Sequence, residues 1–227
     1  MEKFLLPIHI AAGFLSIVIF WIPIFVKKGS NIHVKVGKLY MATMWVVVAT
    51  AAILSVENFM QGAYQGAAFL GFLVLITANP LWYGIAILKQ KKGVSEGYRK
   101  KHMLFNALIA IAGILLIIYG ITLTNEPTGI LMIIFGILGV STGKDIITMY
   151  RNPASKSNRM KEHIIGMLTT GIAAYTAFAV FGGANFFRGV FSGYWSIIPW
   201  VTPTIVGSIL MRYYQNLYLG KKKVTRV

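Results

Sequence analysis

The chain of 227 residues contains no cysteine, and charged residues make up only 12% of it. The first absence excludes a disulfide framework, a thiolate nucleophile and any cysteine-ligated metal or iron–sulfur cluster. The second is about half the share of a typical soluble domain. Motifs that announce common chemistries are also missing: no His-Glu-x-x-His, no Walker loop and no dinucleotide fingerprint, since Gly136 to Gly139 falls inside an apolar run. Paired histidines four residues apart, as in some seven-helix membrane hydrolases, do not occur. The N-terminus does not read as a cleaved signal peptide, because its charged leader is only Glu2 and Lys3 and no small-residue cleavage site follows.

What the chain has instead is hydrophobicity: 56% of residues, with a mean hydropathy of +0.68. A helix needs roughly 20 apolar residues to cross a hydrocarbon core about 30 Å thick. Seven runs meet that length: about Phe4 to Val26, Leu39 to Val56, Gly66 to Leu88, Met103 to Leu123, Gly129 to Thr148, Ile164 to Phe181 and Trp195 to Met211. They leave no room for a soluble domain, so residues 1–227 read as one all-α integral membrane bundle of seven transmembrane helices.

All 22 Lys and Arg residues except Lys3 and Arg188 fall into four clusters that flank these runs, around Lys27–Lys38, Lys89–Lys101, Lys144–Lys161 and Arg212–Arg226. Short cytoplasmic loops collect such residues. With seven crossings, all four clusters share a side only if the N-terminus lies outside and the C-terminus in the cytoplasm. The formal charge of +16 then suits anionic inner-leaflet lipids in a bacterial cytoplasmic membrane. It does not read as a nucleic-acid footprint, because the basic residues alternate with spans. No feature identifies a protein partner.

Local signals agree. Asn125-Glu126-Pro127-Thr128-Gly129 reads as a tight outer turn, and Gly182-Gly183 as a stop. Phe186, Phe187, Phe191, Tyr194 and Trp195 read as an interfacial aromatic segment, with Tyr213, Tyr214 and Tyr218 at the opposite headgroup level. Asn152-Pro153 opens the longest inner loop, and Lys221-Lys222-Lys223 is expected to pin the last helix. Pro23, Pro80, Pro199 and Pro203 interrupt helices, and Asn79 beside Pro80 places an amide at membrane depth. Gly113, Gly136, Gly139 and Gly171 are expected to mark close helix contacts.

The chemistry of the chain rests with four histidines, all near helix ends. His9 lies about one turn inside the first helix, near the outer face. His33, His102 and His163 each precede an inward-to-outward helix, at equivalent places in three successive hairpins, and Asn106 aligns with His102. Asp145 is the only acid embedded in a span. Imidazoles with a carboxylate suit zinc or non-haem iron, and two opposed imidazoles suit haem b. Neighbouring cations favour an anionic group such as a haem propionate.

The elements Ile8-His9-Ile10-Ala11-Ala12-Gly13, Ile32-His33 with Gly37, Lys38 and Tyr40, Lys101-His102-Met103, and Glu162-His163-Ile164-Ile165-Gly166-Met167 resemble the bacterial membrane family catalogued as domain of unknown function 2306. Asp145 at the end of the preceding helix resembles it too. The resemblance implies a multi-pass bacterial membrane protein and supplies no activity.

Three functional expectations remain open on these residues. The first is a haem-binding, redox-active protein with His102 and His163 as axial ligands, His33 as a substitute for either, and Arg99 and Lys101 meeting the propionates. The second is a metal-dependent hydrolase using His33, His102, His163 and Asp145. The third is a carrier or lipid-binding protein with Asn79 and the histidines lining a polar cavity.

Overall fold

The computed structural model describes residues 2–91, 93–123, 125–151, 159–182 and 193–219, and these are all-helical. The helices are α1 (Glu2–Phe25), α2 (Asn31–Met60), α3 (Tyr64–Ala86), α4 (Glu96–Ile121), α5 (Pro127–Ser141), α6 (Gly143–Arg151), α7 (Arg159–Ala177) and α8 (Ile198–Leu219). Short 3-10 turns extend α3 and precede α8, and a π turn ends α7. Among the described residues, seven helical stretches are long and apolar enough to cross a membrane, with α5 and α6 counting as one. The loop at Asn152-Pro153, the stop residue Gly183, the aromatics Phe186, Phe187 and Phe191, and the basic tail Lys221-Lys222-Lys223 lie outside the described residues.

The helices start earlier than hydropathy alone implies, and serine caps are the reason. Ser30 accepts a hydrogen bond from the His33 N–H at 3.2 Å, so α2 starts at Asn31 rather than near Leu39. Ser95 accepts from the Tyr98 N–H at 3.3 Å, so α4 starts at Glu96 rather than near Met103. A side-chain cap satisfies a donor that the first turn would otherwise leave open. The three hairpin histidines are consequently not equivalent. His33 is the third residue of α2, His163 the fifth of α7 and His102 the seventh of α4.

The fifth apolar run, expected as one helix, is divided at Thr142. The Thr142 hydroxyl donates to Gly139 O at 2.7 Å and contacts Asn106 O at 3.1 Å, tying the break to α4.

Where small residues were expected to bring helices together, they do. A Cβ on Gly113 of α4 would lie 2.6 Å from the Gly136 carbonyl of α5, and one on Gly136 would meet Gly113 O at the same distance. At the crossing of α3 and α7, a Cβ on Gly166 would sit 2.7 Å from the Gly84 Cα. The core between α1, α2, α3 and α7 is built on Phe20, Tyr40, Met44, Leu81 and Leu168. A second core, on Phe72, Ile109, Met132, Phe135 and Trp200, joins α3, α4, α5 and α8. Phe4, Ile10, Leu115, Ile118 and Ile209 turn outward, as expected of faces that meet lipid.

Gly113→Val forces the α4 and α5 backbones apart and is expected to cost about 1–3 kcal/mol. Gly37→Ala, where an added Cβ meets nothing within 4 Å, is expected to stabilise α2 by up to about 1 kcal/mol. Thermal unfolding in detergent checks both.

Candidate functional site

Two of the four histidines meet. The rings of His33 and His163 have centres 6.4 Å apart, with planes inclined by 68°. Each ring is held by a backbone carbonyl from a third helix: His33 Nδ1 lies 3.0 Å from Pro23 O, and His163 Nδ1 lies 2.8 Å from Gly84 O. A carbonyl only accepts, so both Nδ1 atoms carry the proton. The neutral tautomer that follows leaves each Nε2 with an unshared pair, and neither Nε2 has a hydrogen-bond partner among the described residues. An Nδ1–H pinned by a carbonyl is the usual outer support of an imidazole that ligates through Nε2.

Local structure explains the placement. Pro23 lies in the last turn of α1, whose carbonyls have no helical donor left to bind. His33 reaches one of them from the start of α2. His163 reaches Gly84 O because the Gly84–Gly166 crossing lets α3 and α7 touch backbone to backbone.

Both rings line a cavity of about 520 Å³ walled by Phe20, Tyr40, Ile85, Met167 and Leu168, with Lys28, Lys38, Tyr214 and Tyr218 also on its lining. The Lys28 ammonium donates to Pro23 O at 2.7 Å and to Ile24 O, and it lies 5.7 Å and 5.6 Å from the Tyr214 and Tyr218 ring centres. Partial burial lowers its pKa, since the charged form loses water. The Tyr40 hydroxyl pairs with Thr170 Oγ1 at 2.9 Å. In the sequence Lys28 counted as a topology signal, and Lys38 as that and as part of the family resemblance; neither was read as a site residue. Their spacing around His33, with Lys28 just before α2 and Lys38 in its second turn, was the available clue to a site.

His102 does not join the pair. It is 3% exposed, and neither ring nitrogen has a partner among the described residues. Its ring contacts among those residues are Tyr83 at 4.7 Å, Tyr98 at 5.7 Å and Trp82 at 6.3 Å. Being seventh in α4, it sits a full turn further from its helix start than His33 does from its own, inside an aromatic box. The expected meeting of His102 with His163 does not occur; the ring that lies beside His163 is that of His33.

Arg99 and Lys101 are not on the cavity lining. Asp145 is exposed in the first turn of α6. Among the described residues, no three His, Asp or Glu side chains come together as a metal site, so the set His33, His102, His163 and Asp145 is not gathered. His9 is on α1, with Nδ1 2.9 Å from Thr50 Oγ1. The Thr50 hydroxyl donates to Val46 O at 2.7 Å, which makes it the acceptor for His9. Asn79 and Asn106 are joined by a 2.8 Å hydrogen bond deep in the bundle. His9, Asn79, Asn106 and Asp145 all line a second cavity.

Comparison with protein families, curated proteins and solved structures returns no match.

His163→Phe leaves Gly84 O without its side-chain donor and is expected to cost about 1 kcal/mol. His102→Phe puts an apolar ring into an aromatic box that offers the imidazole no hydrogen bond. It is expected to be neutral or stabilising. Equilibrium unfolding of the two variants separates these outcomes.

Proposed function

We propose that this protein is a haem-binding, redox-active protein of the bacterial cytoplasmic membrane, in which His33 and His163 would hold the haem iron. The observation that carries the reading is the pair of imidazoles with ring centres 6.4 Å apart, each pinned through Nδ1 with Nε2 open. From these positions His33 and His163 would hold the iron through their open Nε2 atoms. The residues around the pair also fit. The walls are apolar, and Lys28 and Lys38 provide cations for propionates where Arg99 and Lys101 were first expected.

When bound, haem supplies one-electron exchange. The chain's own contribution is to fix two imidazole orientations, exclude water with Phe20, Ile85 and Leu168, and place ammonium groups beside the acidic edge. The resemblance to a bacterial multi-pass family and the four basic clusters support an arrangement with the N-terminus outside and the site at the cytoplasmic face, beside anionic lipids.

Protein purified from haem-replete cells is expected to show a Soret band with a low-spin bis-histidine spectrum. His33→Ala and His163→Ala are expected to abolish or convert it, while His102→Ala retains it. A colourless wild-type preparation overturns the reading.

Orientation is tested separately, helped by the absence of native cysteine. Gln61→Cys is expected to react with a membrane-impermeant maleimide in intact cells with permeabilised outer envelopes. Lys91→Cys is expected to react only after the cytoplasmic membrane is opened.

A further inference from the structure

We infer that the second cavity binds a neutral, lipid-soluble ligand carrying a phenolic hydroxyl, held between Asn79 and Asn106. The two amides are 4% and 1% exposed. Asn79 Nδ2 donates to Asn106 Oδ1 at 2.8 Å, and this leaves Asn79 Oδ1 and Asn106 Nδ2 buried with no partner among the described residues. Exchanging oxygen and nitrogen on both side chains reverses the bond and still leaves one open acceptor on one residue and one open donor on the other. The pair is thus a matched set of one donor and one acceptor whichever way the amides lie. Buried polar atoms of this kind are costly unless something meets them.

Both residues line a cavity of about 380 Å³. That lies within the usual range of small-molecule sites, about 300–1,000 Å³. Tyr83, Phe135 and Trp200 supply aromatic walls, and much of the remaining lining is aliphatic. One hydroxyl placed between them would donate to the open oxygen and accept from an N–H of the open amide nitrogen. An aromatic ring behind it matches the aromatic walls. A charged head does not fit the amide pair, because a single amide contact on each side does not offset the burial of an ion. A bridging water meets the same two atoms but occupies only about 30 Å³, leaving most of this apolar space unfilled. The cavity is separate from the one that holds His33 and His163, so the inference stands whether or not haem binds there.

The discriminating probes are 4-propylphenol and its methyl ether, 4-propylanisole. The ether keeps the acceptor oxygen and loses the donor. Binding is measured as the ligand-dependent rise in the midpoint of thermal unfolding, with the full-length protein in detergent. The phenol is expected to bind about tenfold or more tightly than the ether, the effect of one buried acceptor left open. Asn79→Leu/Asn106→Leu replaces both partners by apolar groups and is expected to bind the two probes equally. Ala173→Phe, which places a ring in the cavity from α7, is expected to abolish binding of both. Wild-type protein that binds neither probe, showing a water site only, overturns the inference. So does equal binding of phenol and ether by the wild type, or a phenol preference that survives in the double leucine variant.

Discussion

Backbone contact between α3 and α7 at Gly84 and Gly166 is the constraint on which the histidine pair depends. Without side chains at that crossing, the first turns of α7 lie close enough for His163 to reach a carbonyl of α3. The same approach carries the ring towards His33, which is anchored independently on the last turn of α1. Four helices thereby contribute to two ring positions, and neither imidazole orients itself. Small residues at helix crossings serve tight packing in a bilayer, where burial of apolar surface gives helices no reason to associate. Here the tight crossing also sets the geometry of a polar pair.

Inside an apolar bundle each polar group needs an internal partner, and most buried polar groups among the described residues have one. Ser16 donates to Thr43 at 2.8 Å, Tyr40 pairs with Thr170 at 2.9 Å, and the Trp21 indole donates to Tyr175, whose hydroxyl donates on to Ile17 O at 3.2 Å. These links join α1 to α2, α2 to α7 and α1 to α7. The exceptions are therefore informative. His102, Asn79 and Asn106 each hold buried side-chain atoms without partners among the described residues, and all three lie where α3 meets α4. Polar atoms are costly to bury unsatisfied, so this contact is where the bundle gives up stability.

The helices were legible in the sequence because a sustained apolar run of bilayer length has few ways to fold except as a membrane-crossing helix. Gly113 and Gly136 were likewise readable as contact points. Hydropathy could not show where the helices begin. Ser30 and Ser95 cap segments that still contain charged residues, so α2 and α4 start well before their apolar cores. Three histidines that look alike in the sequence accordingly occupy different positions in their helices. His33 and His163 could be read as members of a shared site; His102 could be separated from them only by counting from its cap. Lys28 was legible as a charge and not as a lining residue, because its position depends on tertiary contact with Tyr214 and Tyr218. The open atoms on Asn79 and Asn106 were beyond sequence reading, since they follow from which amide pairs with which.

The carbonyl of Pro23 takes one hydrogen bond from the His33 ring and another from the Lys28 ammonium. A carbonyl has two lone pairs, and these donors share its electron density. The cation polarises the oxygen and so weakens what the imidazole can draw from it. An acidic group that settles beside Lys28 returns that density, and the Nδ1–H of His33 is then held more firmly and its opposite nitrogen becomes a stronger base. An anion beside Lys28 would thus be felt at the ring through a single peptide oxygen, with no helix having to move.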